Sequence, residues 1–285
     1  MILSFHPCLE ADVQIVLGDR DPTKEERRLI GEAHAVILPQ GCSQDLYELC
    51  AQSRAHLFPS YETRFRYPGK TGQSLLFRDL GLAHPNTIRW GQVKDFMSAH
   101  PDLRSCPQAS PFFMKADKGH EAHGVFLVKD EVSLVQALAN LKRLERSGLA
   151  GFVTQTMVPC EGNVLRAVVM GNRIFTYWKR PRKKGQLITT LSRDALIDKD
   201  WEPDLQSKGA EQARILGYRT GINLAGVDFV FALSEPDPQP VFLEVNYFFG
   251  RRGLGGLDNY YRLLFKAVKD WLRERGLNPQ SVRLV

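Results

Sequence analysis

The sequence predicts an α/β N-terminal unit followed by an α+β portion built on antiparallel hairpins. Three observations carry this. Through the first part of the chain, short apolar runs alternate with amphipathic stretches, the pattern of strands joined by crossover helices. Later, apolar runs come in adjacent pairs, and "VLRAVVMGNRIFTYWKR" turns at Gly171-Asn172, a strong hairpin signal. Finally, "VFLEVN" sets Glu244 and Asn246 on one face of an otherwise apolar strand, just before the basic, glycine-rich "YFFGRRGLGG".

The elements follow in order. "MILSF" and "VQIVLG" read as short buried strands. "DPTKEERRLIGEA" reads as a helix with Asp21 as N-cap and Pro22 at its first position. "HAVILPQ" is a strand, "SQDLYELCAQS" a helix capped by Ser43, and "AHLFPS" another strand. The helix "KTGQSLLFRDLG" leads to "LAHPNT". "PFFMKAD" and "GVFLVKD" form a hairpin, followed by the amphipathic helix "EVSLVQALANLKRLERSG" and the strand "GFVTQTMV". After the Gly171-Asn172 hairpin come the helix "PDLQSKGAEQARILGYRTG", the strand pair "LAGVDFVFAL" and "QPVFLEVN", and the closing helix "LDNYYRLLFKAVKDWLRERG". In that last helix Tyr260, Tyr261, Phe265 and Trp271 space as a core face. The join between the two parts falls between Thr87 and Pro111.

Composition narrows the class. At 285 residues the chain can hold one large domain or two or three small ones. Hydrophobic residues at 43% and charged residues at 25% fit a globular protein rather than a disordered one. A net charge of +6 suits an anionic ligand, a nucleotide or a nucleic acid without choosing among them. The five cysteines are irregularly spaced and contain no C-x-x-C, which reads as reduced thiols. No apolar run approaches the roughly 20 residues of a membrane span, and "MILSFHPCLE" lacks the basic and apolar regions of a signal peptide. The expected location is the cytoplasm, with no membrane partner.

Two clusters carry the chemistry. "KADKGHEAHGV" sits between two strands, with a lysine at its root and glycines that permit close approach. It can fold over phosphates, or it can be a solvated hairpin turn. Asp228, Glu244 and Asn246 form the second cluster. Asp228 reaches the face of the other two if the strands pair, and all three offer hard oxygens suited to Mg²⁺. Apolar flanks on both strands argue against unpartnered carboxylates at these positions.

In this order the segments resemble the ATP-grasp superfamily, most closely its ribosomal-protein glutamate ligase-like branch, from about Lys70 onward. "GKTGQSLLFRDLGLAHPNT" keeps Lys70, Gly81, Pro85 and Thr87 in register with D-K-x(10)-G-x-x-x-P-x-T. "FFMKADKGHEAHGV" is similar to the K-P-x-x-G-x-x-G-x-G-V loop, matching at Lys115, Gly119 and Gly124, with Ala116 and Ala122 as departures. "VTQTMV" stands at the hinge, with Thr156 in place of glutamate.

The resemblance implies a pre-ATP-grasp α/β domain over 1–90, a small ATP-grasp subdomain over 91–160 and a C-terminal subdomain over 161–285. Two antiparallel sheets would clasp ATP. It implies a carboxylate–amine (or carboxylate–thiol) ligase working through an acyl phosphate, or an ATP-binding relative that has lost ligation. Lys70, Lys115, Lys118, Gly119 and His123 would lie at the phosphates. Gln155, Thr156, Met157 and Val158 would read adenine, and Glu161 would receive the ribose hydroxyls. Asp228, Glu244 and Asn246 would hold one or two Mg²⁺ ions, with Mn²⁺ as a substitute. Arg166, Arg180, Arg193 and Arg252 would face the reacting groups. The partners implied are a small-molecule or peptide carboxylate and an amine or thiol acceptor, and a homo-oligomer is compatible.

Departures bear on the acceptor. "GNVLR" keeps Arg166 but puts Val164 where relatives carry aspartate, and "RPRKKGQLITTLSRDALID" has Thr190 at an asparagine position and Asp194 at a glycine position. The basic run Lys179, Arg180, Arg182, Lys183 and Lys184 also reads as a solvated strand end. Nucleic-acid binding rests on the net charge and that run, and lacks aromatic interleaving and any recognisable nucleic-acid module. His120 and His123 are too few ligands for zinc. Arg251 and Arg252, adjacent in an extended loop, would point apart, so that only one enters the site.

Overall fold

The computed structural model describes residues 1–18, 20–119, 124–189 and 195–285. The N-terminal unit is a parallel sheet. It contains β1 (Ile2–Ser4), β3 (Val13–Gln14), β4 (Ala35–Ile37) and β5 (His56–Phe58), in the order β3-β1-β4-β5; β2 (Leu9–Glu10) lies between β1 and β3 in sequence. All of its ladders are parallel. α1 (Lys24–Glu32) and α2 (Gln44–Ala51) supply crossovers. The first helix starts later than Asp21 and Pro22 suggest. Thr23 is its N-cap: the Glu26 N–H donates to Thr23 Oγ1 at 3.2 Å, and the Thr23 N–H donates to Glu26 Oε2 at 2.7 Å. This reciprocal box satisfies two orphan groups where a lone Asp21 cap satisfies one. Ser43 caps α2, accepting from the Leu46 N–H.

α3 (Glu62–Arg66) and α4 (Gly69–Asp79) lead to a second, antiparallel sheet. Its strands are β6 (Thr87–Trp90), β7 (Phe112–Ala116), β8 (Val125–Val128) and β9 (Phe152–Thr156), in the order β6-β9-β7-β8. The sequence left β6 unread. Its pairing with β9 places Thr87–Trp90 in this small sheet. α5 (Val93–Ala99) and α6 (Glu131–Arg146) cover one face. Leu134, Ala137 and Leu141, spaced along one stripe of α6, bury against Phe112, Met114, Val128 and Phe152.

The third sheet contains β10 (Val164–Met170), β11 (Arg173–Arg180), β12 (Leu196–Asp198), β13 (Leu224–Val230) and β14 (Val241–Asn246), in the order β12-β11-β10-β13-β14 and antiparallel throughout. Met170 opposes Arg173, so the hairpin turns at Gly171-Asn172 as the sequence indicates. α7 (Pro203–Thr220) packs on one face, through Leu205, Ala213 and Leu216 against Leu165, Ala167 and Val169. The other face is divided. Val168, Met170 and Leu224 lie under α8 (Leu257–Glu274), whereas Arg166 and Asp228, further along β10 and β13, wall a cleft. α8 buries Tyr260, Leu264, Val268 and Trp271 in a core that also contains Ile2, Ala35, Ile37 and Phe58 of the parallel sheet; Tyr261 and Phe265 pack at its margin. The final strand, β15 (Arg283–Leu284), pairs with β2.

Candidate functional site

A cleft of about 590 Å³ opens between the small and large antiparallel sheets. Lys70, Lys115, Gly119, Gln155, Thr156, Val158, Arg166, Asp228, Glu244 and Asn246, all named from sequence, line it together. Lys118, Met157, Glu161, Arg180 and Arg252 do not. His123 and Arg193 lie outside the described residues, as do His120, Thr190 and Asp194.

α4 sets one corner. The Thr71 N–H donates to Asp117 Oδ1 at 2.7 Å and the Lys70 N–H to the Asp117 carbonyl at 3.2 Å, so the residue after β7 caps the helix. Gly69 is required there: its φ is +66°, and a Cβ would lie 2.5 Å from the Asp117 carboxylate oxygens. One turn on, Gln73 donates to the Val245 carbonyl and accepts from the Val245 N–H, both at 2.8 Å. A side-chain amide thus completes the exposed edge of β14. Lys70 is held between the sheets, its Nζ 3.8 Å from Glu244 Oε1 and 3.4 Å from the Gly119 carbonyl.

On the small sheet, Lys115 Nζ donates to Gln155 Oε1, and Gln155 Nε2 donates to Thr87 Oγ1 at 2.9 Å. Burial pushes the Lys115 ammonium down to about 8, and neighbouring Lys70 adds to this, while Glu244 opposes it. A buried ammonium whose hydrogen-bond partner is a neutral amide rather than a carboxylate is suited to an incoming anion.

On the large sheet, Asp228 on β13 stands between Arg166 on β10 and Glu244 on β14, its direct cross-strand partners. Arg166 Nε and Nη2 donate to the two Asp228 oxygens, each at 2.7 Å, and Lys179 Nζ donates to Oδ2 at 2.8 Å. Burial works against the Asp228 charge, but the two cations outweigh it and hold the carboxyl below its ordinary range. Lys179 is pushed down by burial and by Arg166, with Asp228 opposing. The register slips after Asp228, which opposes Glu244 while Phe229 opposes Phe242; Leu243 is the extra, bulged residue. Such a bulge re-aims side chains, and both Leu243 and Glu244 line the cleft.

The donor set can be tested against Mg²⁺. Glu244 and the Asn246 amide fit an ion held largely by phosphates and water, since Mg²⁺ needs only one or two protein ligands. Asp228 fits poorly, because Oδ2 accepts from two cations and a metal at the remaining lone pair of Oδ1 would stand beside the Arg166 guanidinium. Among the described residues, no three histidine, cysteine, aspartate or glutamate side chains cluster as a metal cage.

The basic run divides on inspection. Lys179 is buried in the cleft, whereas Arg180 pairs with Asp198 at 2.7 Å and lies 4.2 Å over the Trp201 ring, tying β11 to β12. The run therefore concealed one site residue, which the strand alternation with Tyr177 could have revealed. The loop after Asn246 is not extended. Arg252–Leu254 forms a 3-10 turn, and Arg251 stacks on Tyr260 and Tyr261 at 4.6 and 5.0 Å, so neither arginine lines the cleft. Gly253 packs on Tyr177, where a Cβ would come within 2.1 Å of the ring. Glu161 is exposed, with a left-handed φ of +52°.

No protein-family model matches the sequence, and a search of curated proteins found no match. Solved structures do match. A RimK domain ATP-grasp protein from Sphaerobacter thermophilus aligns over 92% of this chain and 97% of its own, with a TM-score of 0.57 and 16% identity. The D-alanine-D-alanine ligase of Helicobacter pylori aligns over 82% of this chain and 70% of its own, with a TM-score of 0.59 and 18% identity. An N5-carboxyaminoimidazole ribonucleotide synthetase, solved with ADP, aligns over 85% of this chain with a TM-score of 0.59 and 13% identity; this chain spans 60% of its length. With its cleft between two antiparallel sheets, the chain is built on the ATP-grasp fold.

Proposed function

We propose that the chain is an ATP- and Mg²⁺-dependent ligase joining a carboxylate to an amine or thiol with release of ADP and phosphate. The observation that carries this reading is the convergence of Lys70, Lys115, Arg166 and Lys179 with Glu244 and Asn246 in one cleft. Val153, Val230 and Leu243 give the same cleft apolar walls suited to a base. The backbone from Gln155 to Val158 reads adenine, so Thr156 in place of glutamate is tolerated. Lys70 and Lys115 bind the phosphates. Arg166 and Lys179, fixed by Asp228, present donors to the moving phosphoryl group before it moves. Glu244 and Asn246 hold Mg²⁺, which when bound neutralises phosphate charge. A substrate carboxylate oxygen attacks the γ-phosphorus, ADP leaves, and the resulting acyl phosphate is attacked by the amine or thiol, releasing phosphate. No helix among the described residues is long and apolar enough to cross a membrane, and the five free cysteines suit a reducing cytoplasm.

The test is ADP release from the full chain, screened with pairs of carboxylates and amines drawn from amino acids, peptides and small dicarboxylates. Release that requires both members of a pair is the expected result. The engagement of Asp228 by two cations favours a second reading, an ATP-binding protein without ligation. Nucleotide binding with no ADP release from any pair would support it over the first.

A further inference from the structure

The electrostatics of the large sheet carry an inference that rests on the nucleotide-binding reading above and deepens it. A carboxylate that binds a hard cation must turn a lone pair toward it, and a cation already at that oxygen repels the metal. Asp228 Oδ1 accepts from Arg166 Nε at 2.7 Å. Oδ2 accepts from Arg166 Nη2 at 2.7 Å, Lys179 Nζ at 2.8 Å and Asn246 Nδ2 at 3.2 Å. The arginine contact is a planar fork that uses one lone pair of each oxygen, Oδ2 is filled by its further donors, and a metal at the remaining Oδ1 lone pair would face the guanidinium's charge unless the bidentate pair were dismantled. Asp228 is only 3% exposed, and opening the pair would strand buried charges. The backbone accommodates the pair: at Gly226 a Cβ would lie 3.3 Å from Arg166 Cδ and Nε, so glycine leaves the guanidinium room beside the strand.

Glu244 is placed differently. Its side chain is 31% exposed, and the nearest ammonium, on Lys70, stands 3.8 Å away, beyond a hydrogen bond. Charge balance points the same way. Among the described residues, Lys70, Lys115, Arg166 and Lys179 face the cleft against Asp228 and Glu244. With tetra-anionic ATP bound, one divalent ion balances these charges, and a second would leave a positive excess. We propose that the cleft takes its nucleotide with a single divalent cation, held by Glu244 and Asn246, and that Asp228 is a positioning residue that keeps Arg166 and Lys179 aligned as phosphate donors.

Mn²⁺ serves as the probe. The full chain is mixed with the β,γ-imido analogue of ATP, kept below the protein concentration, and bound Mn²⁺ is counted by electron paramagnetic resonance. The expected result is one Mn²⁺ per bound nucleotide with the spectrum of an isolated ion. Two spin-coupled Mn²⁺ ions per nucleotide overturn the inference while leaving the nucleotide site standing. Failure of the analogue to bind at all overturns both. In variants, Glu244→Gln should weaken Mn²⁺ in the ternary complex by about ten-fold or more, as loss of an anionic ligand requires. Asp228→Asn should change Mn²⁺ affinity by less than about three-fold while weakening the nucleotide by about ten-fold, since it releases the paired donors. Equal loss of Mn²⁺ in the two variants overturns the assignment. If circular dichroism shows Asp228→Asn unfolded, the Mn²⁺ count on the unaltered chain decides alone.

Discussion

A lysine surrounded by protein loses the water that stabilises its charge, and Lys115 is such a lysine. Its ammonium is pushed down to about 8, so it is charged at neutral pH and discharged as pH rises. Phosphate beside it would restore the proton. Nucleotide binding should therefore take up a proton near pH 8.5 and far less near pH 7, where Lys115 is already charged, which calorimetry in two buffers of different ionisation enthalpy would read. Absence of uptake would place the phosphates elsewhere. The linkage to folding has the opposite sense. The folded pKa lies below the ordinary 10.5, so between about 8 and 10.5 the unfolded chain holds more protons, and this group's contribution to stability rises with pH. At this scale, Glu244 and Asn246 were legible because strand alternation puts them on one face. The partnership of Asp228 with Arg166 was not, because 62 residues separate them and only strand pairing brings them together. Lys179 was hidden in a run of charge whose ordinary fate is solvent.

Elements decide where those residues stand, and α4 shows how. Gln73 supplies two hydrogen bonds to the edge of β14, one donated and one accepted. Gln73→Ala leaves the Val245 backbone groups unpaired and should cost about 1–3 kcal/mol. It should also loosen Lys70 one turn away and weaken ATP more than adenosine. Urea unfolding and calorimetry would check both effects; equal loss for the two ligands would assign the change to folding alone. The long amphipathic helices and the Gly171-Asn172 hairpin were readable because their signals are local and periodic. β6 was not: four residues carry little periodicity, and its partner β9 begins more than sixty residues later. The turn at Arg252 was also missed. Its shape depends on Gly253 meeting the Tyr177 ring, a contact that no local pattern encodes.

The whole molecule is joined by its closing helix. α8 buries one core shared by the parallel sheet and the large antiparallel sheet, and Trp271 meets Phe58 there at 5.5 Å between ring centroids. The sequence suggested units in series, whereas the chain returns to pack its last helix on its first strands. Calorimetric unfolding should therefore show the parallel and large sheets melting in one transition, and Trp271→Ala should lower stability by about 3–5 kcal/mol and shift that transition as a unit. Two separable transitions, only one of which moves, would contradict a common core.

α4 has a further consequence. Its first turn is bolted to the small sheet through Asp117, and its second to the large sheet through Gln73. The helix is an axle between two plates. Any scissoring of the plates turns about it, so the spacing between Lys70 and Glu244 changes least while the rim of the cleft away from α4 sweeps furthest. Spin labels placed across that rim should report a broader spread of distances than labels flanking the axle.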